Sequence, residues 1–119
     1  SKNQKYAFEL LKKRLPNFGW KYNYLINEEW QFDIASPKKK IYLEWDGRHH
    51  FIPIHGEGAL KNRINRDKIK NRIITEDING CLIRIKDDGR ANFNFVEEKI
   101  KEVSKILRKN LPKGELIRL

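Results

Sequence analysis

Cysteine is scarce in this sequence and long apolar runs are missing. The single cysteine, Cys81, excludes an internal disulfide, and its apolar neighbours in the run CLIRI indicate a thiol packed in the core rather than a nucleophile. No set of cysteines and histidines has the spacing of a zinc site. Because the sequence contains no run of about 18 apolar residues and no signal peptide, we expect a cytoplasmic protein that does not enter a membrane.

Positive charge, in contrast, is abundant. The sequence holds 26 lysines and arginines against 16 acidic residues, which gives a net charge of +10 over 119 residues. Such a surplus on a short chain favours a polyanionic partner, and a basic surface that serves only solubility is the alternative. At this length, a hydrophobic share of 39% predicts one domain over 1–119. Because the chain begins at Ser1 without a methionine, we expect this domain to be part of a longer protein.

Apolar periodicity predicts the order of helices and strands. Helical spacing covers 3–15, 59–80 and 95–111, and β-prone runs cover 20–27, 31–35, 40–45 and 81–86. The resulting order, α-β-β-β-α-β-α, predicts an α/β fold with a central mixed four-stranded sheet flanked by helices. The second and longest helix has apolar residues on two sides, so we expect other elements to cover it widely. The tail from 112 onward remains unassigned.

Three carboxylates, Asp33, Glu44 and Asp46, stand on neighbouring predicted strands. Glu44 and Asp46 share one face of their strand, and pairing of two strands around the turn SPKK would bring Asp33 beside them. Gathered acids repel one another unless a cation or a shared proton lies among them. Carboxylate oxygens suit Mg²⁺, which can polarise a phosphoryl oxygen and activate water. The three acids therefore predict a Mg²⁺ site, with Mn²⁺ as a substitute and the carbonyl of Trp45 as a further ligand.

The loop after the third predicted strand and the long helix add candidates for proton transfer. Histidine is well suited to this task near neutral pH, so we expect His49 or His50 to act as general base or acid or to hold a phosphate. An exposed histidine pair without a role is the alternative. Asp67 falls on the apolar stripe of the long helix, where a carboxylate needs a partner. A salt bridge to Arg63 or Lys70 is the alternative to a functional role for Asp67.

An acidic pocket in a cationic surface is typical of a metal-dependent enzyme that acts on nucleic acid. Basic side chains would hold the phosphates while the acids hold the metal. We expect the three tryptophans to serve the core rather than to stack on bases. The candidate nucleic-acid contacts are Lys38, Lys39, Lys40, Arg48, His49, Arg66 and Lys70.

These features together resemble a known family. The motif runs Asp33…IYLEWDGRHHF…RDKIKN…NGCLIRI, and the similarity extends from Glu9 to Ile85. It resembles the very short patch repair endonuclease branch of the PD-(D/E)XK nuclease superfamily, and within it the EDxHD catalytic domains of phage homing endonucleases. The resemblance implies a restriction-endonuclease-like core and Mg²⁺-dependent hydrolysis of double-stranded DNA. It also implies a separate DNA-specificity domain outside this fragment, in the cytoplasm of a bacterial or phage-infected host cell.

The resemblance further implies roles for individual residues. Asp33 matches a metal-ligating aspartate, Asp46 occupies the position where the superfamily carries a lysine, and Glu44 is the acid that precedes Asp46. Without that lysine, His50 or the metal must activate water. Glu9 matches an acid of the first helix, although by pattern alone it is a solvated residue. The implied catalytic set is Glu9, Asp33, Glu44, Asp46, His50 and Asp67, with the metal chiefly on Asp33 and Asp46 and with Glu44 or Glu9 assisting.

Two other functions remain open at this point. A mismatch-nicking repair endonuclease would share the fold, although the sequence lacks the cysteine-rich zinc site of the repair enzymes. A non-catalytic DNA- or RNA-binding module on a nuclease fold would share the basic surface. The intact acids and His50 argue against such a module.

Overall fold

The structure, a computed structural model, describes residues 1–87 and 89–119, apart from the side chain of His49. Its α-helices are α1 (Lys2–Arg14), α2 (Glu57–Arg72) and α3 (Phe93–Lys109). Its strands are β1 (Lys21–Ile26), β2 (Trp30–Ser36), β3 (Ile41–Asp46), β4 (Cys81–Lys86) and β5 (Glu115–Arg118). Within the described part of the chain, every helix is too short or too polar to cross a membrane.

The strands form one mixed sheet in the order β1-β2-β3-β4-β5. The first three are antiparallel, whereas β3–β4 and β4–β5 are parallel pairs, with α2 and α3 in the respective connections. The predicted α/β class and mixed sheet are confirmed, but the predicted count of four strands is wrong. The fifth strand comes from the unassigned tail, where Leu116 pairs with Leu82. Its four residues are too few to show the alternation that identifies a strand in sequence.

Helices α1 and α3 cover one face of the sheet, and a smaller cluster lies on the other. On the first face, Leu11 of α1 and Val103 of α3 are fully buried against strand residues such as Ile83. On the second face, Phe32 and Ile74 belong to the smaller cluster. The central strands β3 and β4 are thus covered on both faces, which forces their charged side chains to find partners within the fold.

The predicted core residues are confirmed for the cysteine and for two of the three tryptophans. Cys81 is fully buried, and Trp20 and Trp45 are almost so. Trp30 is partly exposed, and the guanidinium of Arg66 lies over its ring at 4.6 Å from the centroid. Most of the tryptophan surface therefore stabilises the fold and is not available to bases.

Helix α2 differs most from its prediction. A single α-helix was expected over 59–80, but α2 ends at Arg72 and a π-helical turn follows over Ile73–Asp77. None of its residues is buried, and Ile64 and Ile69 are 40% and 42% exposed, so the expectation of wide cover is wrong. Burial begins at Ile74, after the helix. Helix α2 is therefore exposed along its length, and its polar residues Asp67 and Lys70 contact residues at the end of β3 and in the loop after it.

Candidate active site

The site begins where β2 and β3 separate. Their pairing ends at Ile34 and Leu43, and beyond this point the carboxylate of Asp33 accepts a hydrogen bond from the backbone N–H of Trp45 at 2.7 Å. The Asp33 carboxylate thereby accepts the hydrogen bond that a backbone carbonyl of a paired strand would accept, and it is held at the opening between the two strands. Burial raises the pKa of Asp33, although the Trp45 N–H and the charges of Lys70 and His50 oppose this rise.

Glu44 projects into the same opening and is 4% exposed. Its carboxylate pairs with the ammonium group of Lys70, which reaches over from α2. The same ammonium lies 4.6 Å from the centroid of the Phe32 ring. Burial lowers the pKa of Lys70 to about 8, although the Asp33 carboxylate opposes the fall. Lys70, predicted as a nucleic-acid contact, therefore has an acid of the site as its partner in this structure.

Asp46 is held by an arginine that the sequence analysis did not assign to the site. Arg84 of β4, 2% exposed, donates from Nη1 to both carboxylate oxygens of Asp46, at 3.0 and 3.2 Å. Its Nε donates to Asn71 Oδ1 at 2.8 Å. Burial raises the pKa of Asp46 against the opposing charge of Arg84. The signal that could have identified Arg84 is its place inside the apolar run CLIRI, where a charge requires a partner.

His50 and Asp67 form a direct pair. Nδ1 of His50 lies 2.8 Å from Oδ2 of Asp67 and 3.6 Å from Oδ1 of Asp46. Arg84 supports the pair, since its Nη2 lies 3.6 Å from Oδ1 of Asp67. Burial alone would raise the pKa of Asp67, but the hydrogen bond with His50 and the charge of Arg84 outweigh it and lower the pKa. In the described part of the chain, the ion-pair partners of Asp67 are thus His50 and Arg84, not Arg63 or Lys70 as in the alternative.

Two clefts flank this pair, one on each side of α2. The larger, which we call the acidic cleft, has a volume of about 460 Å³ and is lined by Asp33, Glu44, His50, Asp67 and Lys70, together with Gln4, Arg63 and Arg66. The smaller, which we call the second cleft, has about 170 Å³ and includes Asp46, His50, Asp67 and Arg118. The structure therefore brings Asp33 and Glu44 into one cleft and turns Asp46 toward the other, with His50 and Asp67 bordering both.

Glu9 is not brought to the site. It is exposed, and its carboxylate pairs with Lys12 at 3.3 Å. Helix α1 instead contributes Gln4 to the acidic cleft. Five residues on a helix correspond to about 140° of rotation, so Gln4 and Glu9 point in different directions. The structure therefore does not bring Glu9 to the acidic cleft, which agrees with its interpretation as a solvated helix residue, and the catalytic role that the resemblance implies for Glu9 stays a prediction.

The remaining candidate nucleic-acid contacts lie at several places. Lys38, Lys39 and Lys40 precede β3 and so lie at the opposite end of that strand, roughly 20 Å from the site. Arg66 borders the acidic cleft, and Arg48 borders another pocket. The side chain of His49 lies outside the described part of the structure.

The donor chemistry of the acidic cleft fits a hard divalent cation. Asp33 and Glu44 supply carboxylate oxygens, the ligand type that Mg²⁺ prefers. Among the described residues, no three acidic or histidine side chains converge into a ready ligand set. The physical reason is that Lys70 and Arg84 hold Glu44 and Asp46 in separate ion pairs. The ligand set predicted from Asp33, Glu44 and Asp46 therefore stays a prediction.

Arg84 is expected to be the main structural support of the site. Arg84→Gln should lower the free energy of unfolding by about 3–5 kcal/mol, because it leaves Asp46 buried without its cation. Urea unfolding measures this, with Lys101→Gln on the exposed side of α3 as the control. Replacing both partners, Arg84→Met with Asp46→Leu, should recover much of the loss. A single-variant loss below about 1 kcal/mol would show that the pair is unimportant to stability.

Comparison with known proteins adds no relative. No family model, no curated protein and no solved structure matches the chain.

Proposed function

We propose that this chain is a divalent-metal-dependent DNA endonuclease that hydrolyses phosphodiester bonds, as the catalytic domain of a homing endonuclease would. One observation carries the proposal: a single cleft combines the partly buried Asp33 and the buried Glu44 with the His50–Asp67 pair. The whole chain of 119 residues has a net charge of +10. Acids that hold a cation, a histidine that moves a proton and a cationic rim are the parts that phosphodiester hydrolysis requires.

The cationic rim comes mainly from α2. No residue of this helix is buried, so its basic side chains can approach a DNA backbone without rearranging the core. Arg63 and Arg66 border the acidic cleft itself. Such contacts position a duplex by its phosphates and carry little sequence information. This agrees with the expectation that sequence specificity resides in a separate domain.

The acids would hold Mg²⁺ or Mn²⁺ in the acidic cleft, with Asp33 and Glu44 as ligands. When bound, such an ion supplies Lewis-acid polarisation of the phosphoryl oxygen and lowers the pKa of a bound water. The Trp45 N–H holds one oxygen of Asp33, which fixes the direction of the carboxylate. Lys70 has to leave Glu44 before that acid can serve as a ligand.

His50 is the candidate for proton transfer. The pKa of Asp67 is lowered, so this carboxylate is ionised at neutral pH. It therefore accepts the hydrogen bond from Nδ1–H of His50. This arrangement keeps the basic lone pair on Nε2, which can take a proton from the attacking water or return one to the leaving oxygen. Arg84 in turn fixes Asp67. The pair thus provides the function for which the superfamily uses the lysine missing at position 46.

Plasmid cleavage tests the proposal without knowledge of the target sequence. Supercoiled plasmid should be converted to nicked or linear product in the presence of Mg²⁺ or Mn²⁺ and should stay intact in EDTA. A gel-shift experiment on the same DNA is the companion measurement. DNA binding without product under all metal conditions would contradict the proposal and identify a non-catalytic binding module.

That alternative function has one observation in its favour. Lys70 and Arg84 neutralise Glu44 and Asp46 within the chain, as would be expected if the acids had lost their metal and served only the fold. Asp33 argues the other way, because it is partly buried, desolvation raises its pKa, and its hydrogen-bond donor is a neutral N–H. A carboxylate in that situation gains from a cation.

Lys70→Met separates these two views. Without Mg²⁺, the variant should lose about 1–3 kcal/mol of stability, because Glu44 is left buried without a donor. If Glu44 is a metal ligand, saturating Mg²⁺ should raise the melting temperature of the variant more than that of the wild type. Lys61→Met, on the exposed part of the same helix, is the control. Equal Mg²⁺ stabilisation of all three proteins would mean that Glu44 does not bind the metal.

A further inference from the structure

A further pocket, chemically different from the acidic cleft and the second cleft, lies beside the site. It has a volume of about 420 Å³, and we call it the aromatic pocket. Its lining includes Arg48, Phe51, Ile52, Lys86, Asp87 and Phe95. Volumes in this range are typical of sites that hold a small molecule or a single chemical group of a larger one.

The aromatic pocket opens at the carboxyl ends of the parallel strands β3 and β4. The backbone N–H of Asp87 donates to the carbonyl of Asp46 at 2.8 Å, which joins the pocket floor to the end of β3. Phe51 lines both the aromatic pocket and the second cleft, and the second cleft contains His50. A continuous surface therefore leads from the proposed proton-transfer residue to the pocket. The ring centroids of His50 and Phe51 lie 6.3 Å apart, so a nucleotide at the pocket wall would lie next to the proposed proton-transfer residue.

The pocket walls are apolar, and much of this surface is uncovered. Phe51 and Ile52 are 39% and 40% exposed. Phe95 also lines the pocket and is fixed by an edge-on contact with the ring of Trp45, at 6.3 Å between centroids. The lining thus contains two aromatic rings and an aliphatic side chain, and aromatic rings are the surface on which nucleic-acid bases stack.

The charges of the pocket indicate how such a ligand would be oriented. Arg48 and Lys86 carry positive charge, and the ammonium of Lys86 lies 4.6 Å from the centroid of the Phe51 ring. The carboxylate of Asp87 is buried and already accepts hydrogen bonds from the side chains of Trp45 and Asn3. An anionic group would therefore stay with Arg48 and Lys86, and a flat uncharged group would lie against the aromatic rings. A nucleotide has this combination of phosphate and base.

We propose that the aromatic pocket receives the base of an unpaired nucleotide close to the phosphate that is cut, while Arg48 and Lys86 hold a neighbouring phosphate. This inference rests on the proposed function, since it names the nucleic-acid structure that the same site prefers. It predicts a preference for DNA in which one base is not held in the duplex. A paired base would have to be unstacked before it could enter the pocket.

Two labelled duplexes test the inference, one fully paired and one with a single unpaired thymidine. Binding is measured in EDTA so that no cleavage occurs. The wild-type domain should bind the duplex with the unpaired nucleotide roughly tenfold more tightly, because each stacked base contributes strongly to binding. Phe51→Ala should reduce this ratio to less than about twofold. Phe93→Ala, which removes an exposed aromatic side chain of α3 that does not line the pocket, should leave the ratio unchanged.

Lys86→Gln is the second variant. It should also lower the ratio, and it should weaken the salt dependence of binding to the duplex with the unpaired nucleotide by about one phosphate contact. Equal binding of the two duplexes by the wild type would overturn the inference. So would a Phe51→Ala variant that loses affinity for both duplexes equally, because Phe51 would then contact paired DNA or support the loop.

The plasmid experiment keeps the two proposals distinguishable. If the domain cuts plasmid with Mg²⁺ but shows no preference for the unpaired nucleotide, the pocket inference alone is wrong. If the domain binds neither duplex and cuts no plasmid, the proposed function is wrong and the inference falls with it.

Discussion

Asp33→Asn is expected to abolish Mg²⁺-dependent cleavage while the domain stays folded. The loss should be on the order of a thousandfold or more, because an amide carries no charge for the metal and several kcal/mol of transition-state stabilisation depend on that ion. The asparagine carbonyl can still accept the Trp45 N–H that holds Asp33. A rate of plasmid nicking and a thermal melt on the same preparation measure the two effects.

The stability of this variant has a predictable dependence on pH. In the folded wild type, burial raises the pKa of Asp33. Protonated Asp33 therefore stabilises the wild type at low pH, and this stabilisation is lost as the pH rises through the pKa of the folded state. At neutral pH without metal, Asp33→Asn should therefore be as stable as the wild type or more so. Its stability should also change less between pH 4 and neutrality. Asp77→Asn, at an exposed position, is the control for the charge change. If Asp33→Asn nicks plasmid at the wild-type rate, Asp33 is not part of the active site.

His50→Gln is expected to lower the cleavage rate by about 10²–10⁴-fold, the usual contribution of a positioned general acid or base. Glutamine can keep a hydrogen bond to Asp67 but cannot carry the proton. Asp67→Asn should also reduce the rate, because an amide no longer holds the proton on Nδ1 of His50. Since the two side chains act as a unit, the double variant should be little worse than His50→Gln alone.

The matched control for His50 is His55→Gln, an exposed histidine of the same loop. It should nick plasmid at the wild-type rate. If His50→Gln also cuts at that rate, or if the two single losses simply multiply in the double variant, the His50–Asp67 pair does not work as a proton-transfer unit. Mg²⁺-induced stabilisation of His50→Gln, compared with the wild type, would show whether the variant still binds the metal.

The local parts of the site could be predicted from the sequence, because they depend on strand periodicity. Alternation in IYLEW places Glu44 and Asp46 on one face, and the turn before it brings Asp33 to the neighbouring strand. The ion pairs could not be predicted in the same way. Lys70 and Arg84 reach their partners from 26 and 38 residues away, and only the parallel crossover of the fold brings them together.

Helices were less predictable at the site for reasons of geometry. The family resemblance pointed to Glu9 on the first helix, but the rotation of α1 presents Gln4 to the acidic cleft. The apolar residues of α2 suggested burial on two sides, whereas the helix lies on the surface with Ile64 and Ile69 exposed. Sequence periodicity identifies the faces of a helix but does not specify which neighbour, if any, covers them. Because α2 lies on the surface, its Arg63 and Arg66 can border the acidic cleft.

The most direct test of the central claim is the rate of plasmid nicking as Mg²⁺ is titrated, for the wild type and for Asp33→Asn in parallel. The account predicts product that rises to saturation with Mg²⁺ for the wild type and no product above background for the variant at any Mg²⁺ concentration. Nicking by both proteins at the same rate, or binding of plasmid by the wild type without any nicking, would contradict it.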